Sequence, residues 1–149
     1  MVSLTRYFLM FFIICLVMTC ICGVVAALLP QGLGGVLTIV PYLVAMIVVL
    51  FRFLKNMRRA PTQAERKKIT LGFTLIFWLY NFTFLLIGIA IFARHDPEIW
   101  QNLLLYIQHP QFISIMIIML MLMAIPLYLL TYWFFGPQAK RMAIKMFGE

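Results

Sequence analysis

The sequence predicts an all-α fold, an integral membrane bundle of four transmembrane helices. A short interfacial helix is expected before the fourth span and a short surface helix at the C-terminus. Three observations carry this reading. Hydrophobic residues make up 65% of the 149 residues and charged residues 11%, with a mean hydropathy of +1.05. A soluble domain averages roughly 45–50% apolar and about 25% charged residues, so a soluble core of this length could not hide so much apolar surface. The apolar residues gather in four long runs that contain no charge, and the charges lie in the short segments between them. Residues 1–149 therefore read as a single membrane domain.

The first run covers residues 7–29, 23 residues without a charge. As a helix it extends about 34 Å, enough for a hydrocarbon core of roughly 30 Å. The apolar region of a cleaved signal peptide is about 7–15 residues, so this segment reads as a retained helix. Its cysteines, Cys15, Cys20 and Cys22, are the chain's three. Cys20 and Cys22 point about 200° apart on a helix, which argues against a disulfide between them. The glycine-rich stretch Pro30–Gly35 reads as a tight turn. The second span covers residues 33–54, with Pro41 near its start.

A basic loop, residues 52–68, follows. It holds seven of the twelve Lys and Arg residues: Arg52, Lys55, Arg58, Arg59, Arg66, Lys67 and Lys68. Inside it, Thr62-Gln-Ala-Glu65 has the spacing of a capping box, and Pro61 restrains the residue before it to an extended conformation. A new helix is expected to begin near Thr62 and to enter the membrane as the third span, residues 69–93. Residues 94–111 form the segment on the opposite side. There Asp96-Pro97 predicts a helix cap and first turn. Ile99, Trp100, Leu103, Leu104 and Ile107 share one face of an amphipathic helix that would lie in the interface or lengthen the fourth span. That span covers residues 112–135, contains Pro126, and is expected to stop at Gly136-Pro137. The tail carries Lys140, Arg141 and Lys145 on a short surface helix.

Four spans put both termini and the basic loop on one side, together with eleven of the twelve cations; Arg94 alone lies on the other. The positive-inside bias makes the loop cytoplasmic, both termini cytoplasmic and residues 94–111 periplasmic. The same bias accounts for the net charge of +8 without a nucleic-acid partner, since no folded unit is present to read a groove. The loop cations would set topology and touch anionic lipid headgroups at the cytoplasmic face, at about 1 kcal/mol per cation.

The uncharged runs, residues 7–29, 33–51, 69–93 and 112–135, contain no Asp, Glu, Lys, Arg or His. Ion-coupled transporters and proton relays usually need such a group in the membrane, and the small multidrug exporters, also four-spanned, carry a glutamate in their first helix that is missing here. Cys15, Thr19, Gly23 and Ala27 recur every four residues and form a small-residue stripe for close helix packing, within the chain or between two copies. Asn81 lies about halfway along the third span and needs a hydrogen-bond partner. An interhelical tie to Thr19 or to a backbone carbonyl is expected, with a cavity lined by Tyr80, Asn81 and Thr83 as the alternative. Met116, Met119, Met121 and Met123 read as ordinary packing rather than a copper site. His95, Asp96, Glu98 and His109 match no zinc pattern. No catalytic constellation is present, and no cofactor or metal is expected.

The segment Arg59-Ala-Pro-Thr-Gln-Ala-Glu65-Arg-Lys-Lys68, placed between the second and third of four spans, resembles a family of small bacterial inner-membrane proteins. These share a loop of the form Arg-x-Pro-Thr-x-x-Glu followed by basic residues. The resemblance implies a location, the bacterial inner membrane, and supplies no activity and no catalytic residue. The expected partners are the bilayer and either further copies of the chain or a larger membrane complex.

Overall fold

A computed structural model describes residues 3–29, 32 and 34–148. Its elements are α1 (Thr5–Leu28), α2 (Gly34–Met57), α3 (Gln63–His95), α4 (Pro97–Gln108), α5 (Pro110–Trp133), a π-helical turn (Phe134–Gln138) and α6 (Ala139–Phe147). Four helical stretches are long and apolar enough to cross a membrane: Thr5–Leu28, Val36–Met57, Gln63–His95 and Pro110–Phe147. The protein is an all-α bundle with the features of a multi-pass membrane protein. The turn expected at Pro30–Gly35 falls partly on residues 30, 31 and 33, outside the described residues; within it Gly32 takes a φ of +139°, which a side chain would oppose.

α1 and α2 form a hairpin, α3 packs on α1, and α5 packs on α3. The core is aromatic. Phe11 of α1 stacks on Phe73 of α3 with ring centroids 3.9 Å apart, and meets Tyr42 of α2 edge-on at 5.4 Å. Tyr42 meets Phe77 at 5.0 Å, and Phe135 closes over Phe73 at 5.5 Å. At Gly72 the α1–α3 approach is so close that a methyl group would lie 2.5 Å from the Phe8 ring. Lipid gives no hydrophobic drive between helices, so such close fit is what holds them. One buried polar link crosses the core. The Thr131 hydroxyl donates to the Leu127 carbonyl at 2.7 Å, so the Tyr42 hydroxyl, 2.5 Å away, donates to Thr131. Elsewhere the Cys15 thiol donates to the Pro41 carbonyl at 3.8 Å, and all three cysteines are free.

This core occupies only the end of the bundle that carries the basic loop. No residue of α3 beyond Tyr80, and none of α5 before Leu127, is buried. At 33 residues α3 extends about 50 Å, longer than a hydrocarbon core, so its first turns stand clear of the apolar layer.

One expectation changes, one is met and one pair of alternatives is decided. Gly136-Pro137 does not stop the fourth span: the helix passes through them as the π turn and continues into α6. α6 is the short C-terminal surface helix expected, held down on one face by buried Ala139 and by Met142, Ala143 and Phe147, which pack against the core. Residues 97–109 do not lengthen the fourth span. α4 is separate, bounded by extended backbone at Asp96 and His109. Its cap is as expected, with the Glu98 amide donating to Asp96 Oδ1 at 3.0 Å and Pro97 in the first turn.

Candidate functional site

The basic loop is a built corner rather than a flexible tether. α2 ends at Met57, and Arg58 turns the chain with a left-handed φ of +51° while its amide donates to the Leu54 carbonyl. Pro61 is buried. The capping box forms in both directions: the Thr62 amide donates to Glu65 Oε2 at 2.9 Å, and the Glu65 amide donates to the Thr62 hydroxyl at 3.4 Å. The Arg59 guanidinium forks onto the same carboxylate, Nη1 to Oε2 at 2.9 Å and Nη2 to Oε1 at 2.8 Å. That fork, with the two Thr62 donors, holds the Glu65 carboxyl down at about 2, and the carboxylate in turn raises the Arg59 guanidinium above its usual range. The Arg-x-Pro-Thr-x-x-Glu pattern is thus a mechanical device: a proline sets the entry, a threonine and a glutamate cap the helix, and an arginine locks the cap.

The seven loop cations are not equivalent. Arg59 is spent on Glu65. Arg66 turns inward: its guanidinium lies 3.5 Å above the Tyr132 ring and its Nε donates to the Tyr132 carbonyl at 2.5 Å. Pro137 has no amide hydrogen to give the carbonyl five residues earlier in the π register, that of Tyr132, and Arg66 donates to that carbonyl from α3. Gly136 lies directly beneath it, and a methyl there would push the guanidinium aside. Arg52, Lys55, Arg58, Lys67 and Lys68 remain exposed.

Two cavities have polar linings of interest. One, about 470 Å³, lies at the basic end between the start of α1 and the end of α2 and is lined by Ser3, Arg6, Tyr7, Met10, Arg52, Asn56 and Met57. The other, about 250 Å³, lies between α1, α2 and α3 toward the opposite end and includes Thr19, Thr38, Tyr80 and Asn81. Of the expected cavity trio, Tyr80 and Asn81 are there, but Thr83 is exposed and bonds back to the Leu79 carbonyl.

The interhelical tie expected of Asn81 is made by its neighbour. Asn81 Nδ2 donates to the Phe77 carbonyl of its own helix at 2.8 Å, whereas the Tyr80 hydroxyl meets the Thr19 hydroxyl at 3.2 Å. The small-residue stripe also holds only in part. Cys15 is buried and Thr19 half-buried, but Gly23 and Ala27 are exposed, and a methyl at Gly23 would meet nothing within 4 Å, because the helices are less closely packed there. Among the described residues no three His, Cys, Asp or Glu side chains gather as a metal site would need. Arg6 and Asn56 were missed by the sequence reading. Folding a hairpin about residues 30–33 brings residue 6 opposite the mid-fifties, so the pairing was open to arithmetic. No family model, no curated protein and no solved structure matches the chain.

Proposed function

We propose that this chain is a small non-enzymatic protein of a bacterial inner membrane, with both termini cytoplasmic, that acts by association with itself, with lipid or with a larger membrane complex. The observation that carries this reading is the contrast between the two halves of the bundle. The basic half is a close-packed aromatic core, while the far halves of α3 and α5 bury nothing and present apolar surface. Such helices need lipid or another protein against them, and the four uncharged runs bring no Asp, Glu, Lys, Arg or His for chemistry. Extraction of the tagged protein at native abundance, followed by mass spectrometry of co-purifying proteins and lipids, tests it. Recovery of a reproducible larger partner, or of a lipid-bearing homo-oligomer, is expected. A monomer stripped of both would sink the reading. Sidedness is tested with single cysteines at Gln101 and Lys145 in a cysteine-free background: an impermeant maleimide should label only position 101 from the periplasmic side.

A small oligomeric transporter or channel is the second reading, and the cavity holding Thr19, Tyr80 and Asn81 favours it. Solute flux in liposomes that disappears in Asn81→Ala would establish it over the first.

A further inference from the structure

We propose that the cavity between the start of α1 and the end of α2 seats one phosphodiester headgroup of an anionic lipid, held by Arg6 and Arg52. This rests on the reading that the basic end meets a bilayer surface, and it narrows lipid contact from a diffuse basic face to one place. Both guanidiniums line the same cavity, and neither has an acidic partner among the described residues: Glu65 is taken by Arg59, and Asp96 and Glu98 lie at the opposite end of the bundle. Arginine presents a planar fork that matches two phosphate oxygens. Two further features converge. Asn56 Nδ2 donates to the Tyr7 hydroxyl oxygen at 3.3 Å, which leaves the phenol proton for an incoming acceptor. α1 begins at Thr5 with no side-chain cap, so the positive end of its dipole also favours an anion at this end.

Depth assigns the phosphate to a lipid. The uncharged stretch of α1 begins at Tyr7 and that of α2 ends at Phe51, so Arg6 and Arg52 are each the first charged residue outside the apolar layer. Met10, one turn further in, gives the cavity an apolar floor. A headgroup there keeps its acyl chains in hydrocarbon, against α1 and α2.

The full-length protein is reconstituted into bilayer discs containing phosphatidylglycerol and phosphatidylcholine, and retained lipid is counted by native mass spectrometry. The wild type should retain one phosphatidylglycerol in preference to phosphatidylcholine. Charge-assisted hydrogen bonds from the two guanidiniums are together worth about 100-fold, so Arg6→Gln with Arg52→Gln should lose about that much retention, whereas Lys67→Gln with Lys68→Gln, an equal charge loss at the same end but outside the cavity, removes only the general pull of surface cations and should lose clearly less. Arg6→Lys with Arg52→Lys keeps charge and fold and should still lose about tenfold, because the fork is gone. Equal losses in the arginine and lysine pairs would mean a diffuse field and overturn the seat. Displacement of the lipid by millimolar inorganic phosphate would assign the cavity to a free anion and overturn the lipid. Failure of the wild type to enter discs at all would overturn the bilayer reading itself, and the seat with it.

Discussion

Replacing Arg66 with leucine isolates the joint between α3 and the π turn. Leucine keeps an apolar stem but removes the Nε donor to the Tyr132 carbonyl and the guanidinium 3.5 Å above the Tyr132 ring. Pro137 cannot replace that donor. A hydrogen bond from a charged group is worth ~1.5–3 kcal/mol net, and a cation–π contact at an exposed site ~0.5–1 kcal/mol. Arg66 is half-buried and interfacial water can hydrate the freed carbonyl, so the lower ends apply. The loss should be about 2 kcal/mol, or about 30-fold in the folding equilibrium. Unfolding by SDS titration in mixed micelles, followed by the fluorescence of Trp133 beside the joint, measures it. Hydrogen exchange should quicken across residues 134–147 and stay unchanged in α1 and α2. Arg66→Lys should recover only part of the loss, since it restores charge without the fork-shaped donor. An Arg66→Leu protein that unfolds at the same SDS fraction as the parent, or a lysine variant that restores everything, would refute the assignment of Arg66 as the donor that replaces Pro137.

Other consequences are local. The Glu65 carboxyl, held at about 2 instead of 4.5, adds stability that is full above the ordinary value and is lost as pH falls from about 4.5 through about 2. Thermal unfolding at pH 6, 4 and 2.5 should therefore decline in the parent, while Glu65→Gln, which keeps the cap but has no carboxyl to titrate, should decline less; parallel curves would contradict the linkage. Gly72→Ala puts a methyl 2.5 Å from the Phe8 ring and should cost about 1–3 kcal/mol, against no loss for Gly23→Ala in open space, both read by SDS titration. Tyr42→Phe and Thr131→Val should be coupled by about 0.6 kcal/mol, and by no more than about 1.7, in a double-mutant cycle; additive losses would mean that the buried hydroxyl pair contributes nothing.

The parts of this fold that were legible in the sequence rest on local pattern. Four uncharged runs give four spans, Thr62 and Glu65 give the cap, and Asp96-Pro97 gives the start of α4. What failed depends on partners far away in the chain. Gly136-Pro137 carries every local sign of a helix end, yet the helix continues, with Arg66 on another helix donating to the Tyr132 carbonyl that Pro137 has no hydrogen to serve. The fate of Asn81 turned on the phase of α3 against α1: rotated by one residue, the chain offers Tyr80 to Thr19 and returns the amide to its own backbone. The stripe from Cys15 to Ala27 was real in register, but only its first half faces a close neighbour. Within the candidate site, the seven loop cations could be counted from the sequence. Their division into a lock, an inward strut and exposed charges could not, because it depends on where Glu65 and Tyr132 lie in space.

The contacts that complete the core all join an early helix to a later one: Phe11 to Phe73, Tyr42 to Thr131, Arg66 to Tyr132. During synthesis the α1–α2 hairpin is therefore finished first and waits in the bilayer as a template. Each later helix arrives at a surface already laid down, and Phe135 and Ala139 arrive last. A ribosome that stalls before them releases a chain whose Phe73 lacks the Phe135 ring, and one that stalls before Thr131 leaves the Tyr42 phenol without the Thr131 hydroxyl. Both gaps lie at the end of the bundle that carries the basic loop.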